Sequence, residues 1–286
     1  MVEFDPEHYV DSQRNDWNRV AGAWEEYDAW LDETMAPCNR FLIEKTALRP
    51  GNRVLDLGCG SGYPALALAQ EVGADGEVIG LDIAEEMLEV ARRKAEALGV
   101  KQVLFERVDV ADLPFEPACF DAVTARFSLM FLPYLNQSLT EIHRVLAPGG
   151  VFAAVVWGAK DKNPYLALAL AVLSEFADLP PPDPKLPGVF HLARPGDLVV
   201  RLRAVGFVDL TETEIAVEGR FESGQAYLDC LRQMAAPLQA AFNKIPAARR
   251  SEAEKRIVAA AEGYRRGAQV VLPGVALGVA ARKPRA

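Results

Sequence analysis

The stretch Val54–Ala69, VLDLGCGSGYPALALA, constrains the fold more than any other part of the chain. An apolar run interrupted by Asp56 leads into Gly58, Gly60 and Gly62, and then into a run of good helix formers. That order predicts a buried strand, a tight turn and a helix. The first N–H groups of such a helix make a corner suited to anions and other polar groups. The neighbouring segments extend the pattern. EVIGLD (77–82) reads as a second strand. EEMLEVARRKAEALG reads as a helix with Met87, Ala91, Ala95 and Leu98 on one face. VLFERVD leads to Asp109, and FDAVTA (120–125) is the next strand. SLTEIHRVLAPGG is a helix opened by a Ser138–Glu141 capping box and stopped at Pro148–Gly150, and VFAAVVW (151–157) is a fully buried strand. Alternation of this kind predicts an α/β fold with a doubly wound, Rossmann-like sheet.

What could sit on the turn follows from the residues around it. No GK[ST] follows the glycines, so a P-loop is excluded. Gly60-x-Gly62-x-x-Ala65 with Asp82 twenty residues on fits a dinucleotide fingerprint. Asp56 argues the other way. A carboxylate beside the turn repels a pyrophosphate and favours a ligand carrying an ammonium and a sulfonium. Asp82 accepts from a ribose in either case. Asp109 is placed to accept from an adenine amino group, a job the dinucleotide reading does not give it.

Five motifs in order carry a resemblance: D-x-G-x-G-x-G at 56–62, GLD at 80–82, VDV at 108–110, FDAV at 120–123 and RVLAPGG at 144–150. Over residues 40–158 the chain resembles the class I S-adenosylmethionine-dependent methyltransferases. It is most similar to the branch holding ubiquinone and menaquinone C-methyltransferases and many small-molecule enzymes. The resemblance implies S-adenosyl-L-methionine as cofactor. Gly58, Gly60 and Gly62 would then approach the methionine portion beside Asp56, and Asp82 would hold the ribose. Ile83 and Met87 would pack on the adenine face, with Asp109 and Val110 at its edge. Arg126 would lie at the methionine end; a salt bridge is its other reading. The segment after residue 158 departs from the quinone enzymes, being longer and more helical.

The expected organisation is a seven-stranded sheet with helical additions. Residues 1–39 form an N-terminal helical lid and 40–158 the cofactor-binding core. A cap insertion (159–194), a core continuation (195–221), a helical cap insertion (222–267) and a final core strand (268–286) follow. Trp17, Val20, Trp24, Tyr27 and Leu31 recur at helical spacing, which fits either a helix packed on the core or a lid over the cofactor. DLPPPDPKLPG (178–188) reads as an ordered loop or linker. Residues 223–266 read as two helices, the first with Leu228, Leu231, Ala235, Leu238 and Phe242 at helical spacing. Candidates for an acceptor pocket are Trp17, Trp24, Phe127, Met130, Phe131, Trp157 and Tyr227. Of the three histidines, His143 belongs to an apolar helix face and His8 to the surface. His191 is a candidate base or an ordinary loop residue, and no residue is otherwise assigned to catalysis.

The net charge of −9 argues against a nucleic-acid partner, and the apolar tract near VVLPGVALGVAA is too short to span a bilayer. Four cysteines without a CxxC pair suggest neither a metal site nor a disulfide framework, and fit a reducing, cytoplasmic setting. The expected function is methyl transfer to a small, partly apolar acceptor, a metabolite of quinone-like or natural-product type. Alternatives are an NAD(P)-dependent oxidoreductase and a catalytically silent cofactor-binding partner protein. The cap helices could equally form a homodimer interface.

Overall fold

A computed structural model of the chain describes residues 4–177, 183 and 186–285. The N-terminus forms two helices, α1 (Pro6–Glu26) and α2 (Asp28–Thr46), parted at Tyr27. The sequence sets the start of α1 locally: Asp5 caps it through bonds to the N–H groups of Glu7 and His8, and Pro6 pre-sets the first turn. His8 is thus an exposed first-turn residue.

The core alternates as expected: β1 (Arg53–Leu57), α3 (Ala65–Val72), β2 (Glu77–Asp82), α4 (Glu85–Leu98), β3 (Val103–Arg107), β4 (Phe120–Arg126), α5 (Leu135–Val145) and β5 (Leu146–Trp157). Then come α6 (Pro164–Leu173), α7 (Asp197–Val205), β6 (Val208–Phe221), α8 (Gly224–Met234), α9 (Ala236–Asn243), α10 (Ala247–Glu262), the two-residue β7 (Arg265–Arg266) and β8 (Gln269–Arg282). The sheet runs β3-β2-β1-β4-β5-β8-β6, with β7 paired to β8 as an eighth, minimal strand beside the expected seven. The first five strands are parallel; β8 runs antiparallel between β5 and β6. Pleating sends alternate residues to opposite faces. Val54, Val78 and Ala122 pack with Leu68, Leu88 and Ala91 of α3 and α4, while Leu55, Ile79 and Val123 join Leu139 and Ile142 of α5.

Four expectations need correction. Ser138 opens no capping box: α5 begins three residues earlier, and the Ser138 hydroxyl donates back to Tyr134 O inside the helix. The chain enters β5 at Leu146, ahead of Pro148–Gly150. Residues 223–266 hold three helices, because the first ends at Ala235 and its apolar stripe is divided between α8 and α9. On α4 the sheet-facing residues are Leu88, Ala91 and Ala95; Met87 and Val90 pack against Val20 and Ala21 of α1, and Leu98 is exposed. The proline-rich stretch 178–188 lies largely outside the described residues.

The last two long strands outreach the others. Trp157 at the end of β5 faces Ala276, yet β6 and β8 stay paired for six more rungs, from Ala216↔Val275 to Phe221↔Val270. At roughly 3.3 Å per residue this ribbon projects about 20 Å beyond the carboxyl ends of the parallel strands. Helix α8 grows from its tip, with Ser223 capping it. Asn163 ties the ribbon to the end of β5: its fully buried amide donates to Gly158 O, Ala159 O and Val275 O and accepts from Val275 N.

Candidate functional site

The turn between β1 and α3 lies at the carboxyl end of the sheet, where open α/β folds bind ligands. Gly58, Gly60 and Gly62 all have positive φ, at 67°, 52° and 102°. Their surroundings differ. A Cβ on Gly58 would stand 2.3 Å from Ser128 Cβ, because the chain after β4 presses on the turn and Ser128 donates to Leu57 O at 2.7 Å. A Cβ on Gly62 would stand 3.2 Å from Ala91 Cβ and from Leu66 Cδ1. Only the Gly60 position opens onto free space, with nothing within 4 Å. Gly58 and Gly62 therefore serve packing, and Gly60 is the one that leaves room for a ligand.

Two carboxylates flank this opening. Asp82, half-buried at the end of β2, accepts from Gly60 N through one oxygen and from Ala84 N through the other, both at 2.9 Å. Burial raises its pKa, and those two N–H groups oppose the rise. Each oxygen keeps a lone pair for a further donor. Asp56 is fully buried one strand over; its Oδ1 accepts from the Thr124 hydroxyl at 2.7 Å, and its Oδ2 has no partner. Desolvation pushes its pKa up to about 6. An orphaned buried carboxylate oxygen is a costly feature that a cationic ligand group would relieve. The open glycine and these two acids fit a cofactor carrying an ammonium, a sulfonium and a ribose.

The remaining predicted residues fall at varied distances from this centre. Val108 N–H donates to Asp82 O at 3.1 Å, which brings the β3 end beside β2; Asp109 is exposed there and accepts from Ala111 N, while Val110 is buried with Leu57 and Leu81. Ile83 is half-buried, and Met87 lies under α1. Arg126 donates to Asn39 Oδ1 at 2.8 Å and to Tyr63 O at 3.0 Å, partners that are neutral, and it makes no ion pair among the described residues. Phe127 adopts a left-handed backbone (φ 56°) that costs energy for a residue with a side chain. Its ring stacks on Trp157 at 4.1 Å. From there aromatic rings continue through Tyr165 to Trp30 and Phe221.

Trp17 meets Phe131, in the turn after β4, edge-on at 5.8 Å, and meets Trp24 at 5.7 Å; Trp24 Nε1 donates to Met234 O at the end of α8. Helix α1 thereby touches both the mouth of the sheet and the helices on the ribbon. Met130 is buried, and its carbonyl accepts from Gly188 N at 2.9 Å, which brings the loop of half-buried His191 to the same turn. Tyr227 is fully buried in the core, its hydroxyl turned to Tyr165 O. His143 is remote, edge-on to Phe207, and burial lowers its pKa. A groove of about 750 Å³ lined by Arg49, Gly149 and Arg282 lies at the amino ends of β4 and β5 and touches none of these residues. Sequence reasoning missed Lys94, Asn39, Tyr63 and Ser128, which brace the turn from behind; in the sequence Lys94 looks like one more charge in ARRKAEA.

Residues 48–175 match the family described as Methyltransferase domain. Demethylmenaquinone methyltransferase of Bacillus cereus is 39% identical over 45% of this chain and 51% of its own length. The chain spans about half the length of the curated relatives it matches. Among solved structures, the YcgJ protein of Bacillus subtilis superposes with a TM-score of 0.57 at 21% identity, covering 87% of this chain and 98% of that one. Phosphoethanolamine N-methyltransferase 2 of Haemonchus contortus, in complex with phosphomonomethylethanolamine and S-adenosylhomocysteine, gives a TM-score of 0.59 at 18% identity, covering 95% and 60%. The domain that the glycine turn anchors, residues 48–175, is thus similar to those of the class I S-adenosylmethionine-dependent methyltransferases, and the fold of the chain is theirs.

Proposed function

We propose that the protein transfers the methyl group of S-adenosylmethionine to a small, partly apolar acceptor. The observation that carries this reading is the open Gly60 position, held by Asp82 and neighboured by the unpaired oxygen of Asp56. When bound there, the sulfonium supplies an activated methyl group. The residues of the chain do the rest. Asp82 accepts from the ribose hydroxyls while fixing Gly60. Asp56 balances the positive charge of the methionine end, with Ile83, Asp109 and Val110 toward the adenine. Phe127 and Trp157 wall the side where an acceptor approaches, and Trp17 with Phe131 keeps water away. Holding an acceptor in line is worth roughly 7–11 kcal/mol, so a carbon or amine nucleophile needs little further help; His191 is the base to test for a hydroxyl acceptor.

The aromatic lining and the similarity to demethylmenaquinone methyltransferases favour a planar, quinone-like or natural-product acceptor, and the four free cysteines favour a cytoplasmic setting. No described helix is long and apolar enough to cross a membrane. A homodimer through the cap helices gains no support from their apolar residues: Leu228, Leu231, Leu238 and Phe242 are buried within the chain. No observation favours the oxidoreductase or the silent binding protein. A thermal-shift panel with S-adenosylhomocysteine, NAD and NADP tests the cofactor, and transfer of labelled methyl into a metabolite extract tests the reaction. Stabilisation by a dinucleotide alone, or no transfer from a bound donor, would overturn the reading.

A further inference from the structure

Two cations brace the far side of the glycine turn. Lys94, in the middle of α4, has a side chain only 13% exposed. Its Nζ donates to Ser61 O at 2.8 Å, lies 4.5 Å from the centre of the Tyr63 ring, and pairs with the Asp28 carboxylate at the first residue of α2. Arg126 donates to Tyr63 O and, with its other arm, to Asn39 of α2. The carbonyls on either side of Gly62 are thus each held by a cation whose remaining bond goes to α2. Asp28 and Asn39 are eleven residues apart, about three helical turns, so they share one face.

A neutral donor would suffice to hold one carbonyl, and burying an ammonium is costly unless it is paired. What the ammonium adds is a shared bond: the atom that fixes Ser61 also fixes the start of α2. At that start the chain leaves α1, which is itself docked on α4 by Arg93–Glu25 at 2.8 Å and by Asn18 accepting from Glu86 N at 3.1 Å. Helix α1 carries Trp17 to the mouth of the site. Movement of the helix pair and displacement of the turn are therefore mechanically linked at Lys94.

We propose that Lys94 is a positioning residue that couples the docked α1–α2 pair to the cofactor turn, so that each favours the other. This rests on the turn binding S-adenosylmethionine. Coupling between two sites is reciprocal in binding free energy. A ligand on the turn should therefore protect α1, and breaking the link should weaken the ligand.

The test uses the full chain with S-adenosylhomocysteine, calorimetry for affinity, and hydrogen exchange of residues 6–26 for docking. The wild type should gain protection in α1 when the ligand binds. Lys94→Met should bind about tenfold more weakly, within the usual range of such couplings, and lose the ligand-dependent protection. Asp28→Asn, which keeps the bond from Lys94 to Ser61, should act in the same direction, the double variant should be no weaker than Lys94→Met, and Lys94→Arg should restore most of both effects. Three results overturn the coupling: wild-type protection that ignores the ligand, Lys94→Met binding within twofold of wild type, or weakened binding that leaves the ligand-dependent protection intact. Should Lys94→Met fail to fold, Asp28→Asn decides alone. A wild type that does not bind S-adenosylhomocysteine would instead overturn the cofactor assignment.

Discussion

Asp56 sits in a dry site with one oxygen unpaired, and its energetics follow from that. Its carboxyl titrates near 3.8 when unfolded and at about 6 when folded, so the native state holds the proton more tightly. The contribution to stability is fully present below pH 4 and is lost as pH rises through 6. Above that, the ionised form costs about 3 kcal/mol at 1.36 kcal/mol per unit. Asp56→Asn should therefore raise stability at pH 8 by up to about 3 kcal/mol, and by nothing below pH 4, while weakening S-adenosylhomocysteine. Urea titrations at pH 8 and pH 3.5 check this, and equal stability at pH 8 would refute the buried charge. Asp82 behaves differently because both its oxygens hold backbone N–H groups. Asp82→Ala should lose at least about tenfold in ligand affinity and about 1–3 kcal/mol in stability, for the orphaned donors. Asp82→Asn, which keeps one acceptor, should fall between in both measurements. These acids were legible in the sequence because a strand end beside a glycine turn fixes where they point. Lys94 was not, since its partner Asp28 is distant in sequence and a helical lysine is usually solvated.

The elements were readable where period and punctuation agreed. VLDLG, EVIGLD and FDAVTA became strands because their apolar runs are short and bounded by turns. The reading failed where one apolar stripe crosses two helices. Trp17 through Leu31 keeps a helical period across the break at Tyr27, and Leu228 through Phe242 keeps it across Ala235. Hydrophobic spacing reports a shared buried face, and it does not register a change of axis between helices that bury the same side. The glycines teach the converse: one motif, three different neighbours. Gly58→Ala should destabilise strongly, since its Cβ would stand 2.3 Å from Ser128 Cβ. Ser128→Gly in the same chain should recover the part due to that collision and leave the part due to φ 67°. A thermal melt of the two single variants and the double variant would show it; strictly additive losses would mean the turn relaxes away from Ser128.

At the scale of the whole molecule, the β6–β8 ribbon and the helices it carries stand at the same end of the sheet as the glycine turn. The sequence marked these segments as interruptions of the sheet; their position needed the pairing register, which no local pattern encodes. If α8–α10 and α1 close together over a bound ligand, trypsin should cut more slowly at exposed Lys244, Arg249 and Arg250 when S-adenosylhomocysteine is present. Identical cleavage rates would argue for a rigid cap. Trp24 Nε1 donating to Met234 O joins α1 to the end of α8. A further consequence concerns light. The chain has four tryptophans, Trp17, Trp24, Trp30 and Trp157, and every one of them lies at this end: on α1, on α2 against Phe221, or stacked on Phe127. Apart from Trp157 at the end of β5, the sheet, α3–α7 and the amino-terminal rim are dark at 295 nm excitation. The intrinsic emission of the protein is therefore a built-in optical reporter of the mouth alone, and stopped-flow fluorescence can follow what a ligand does there without a label.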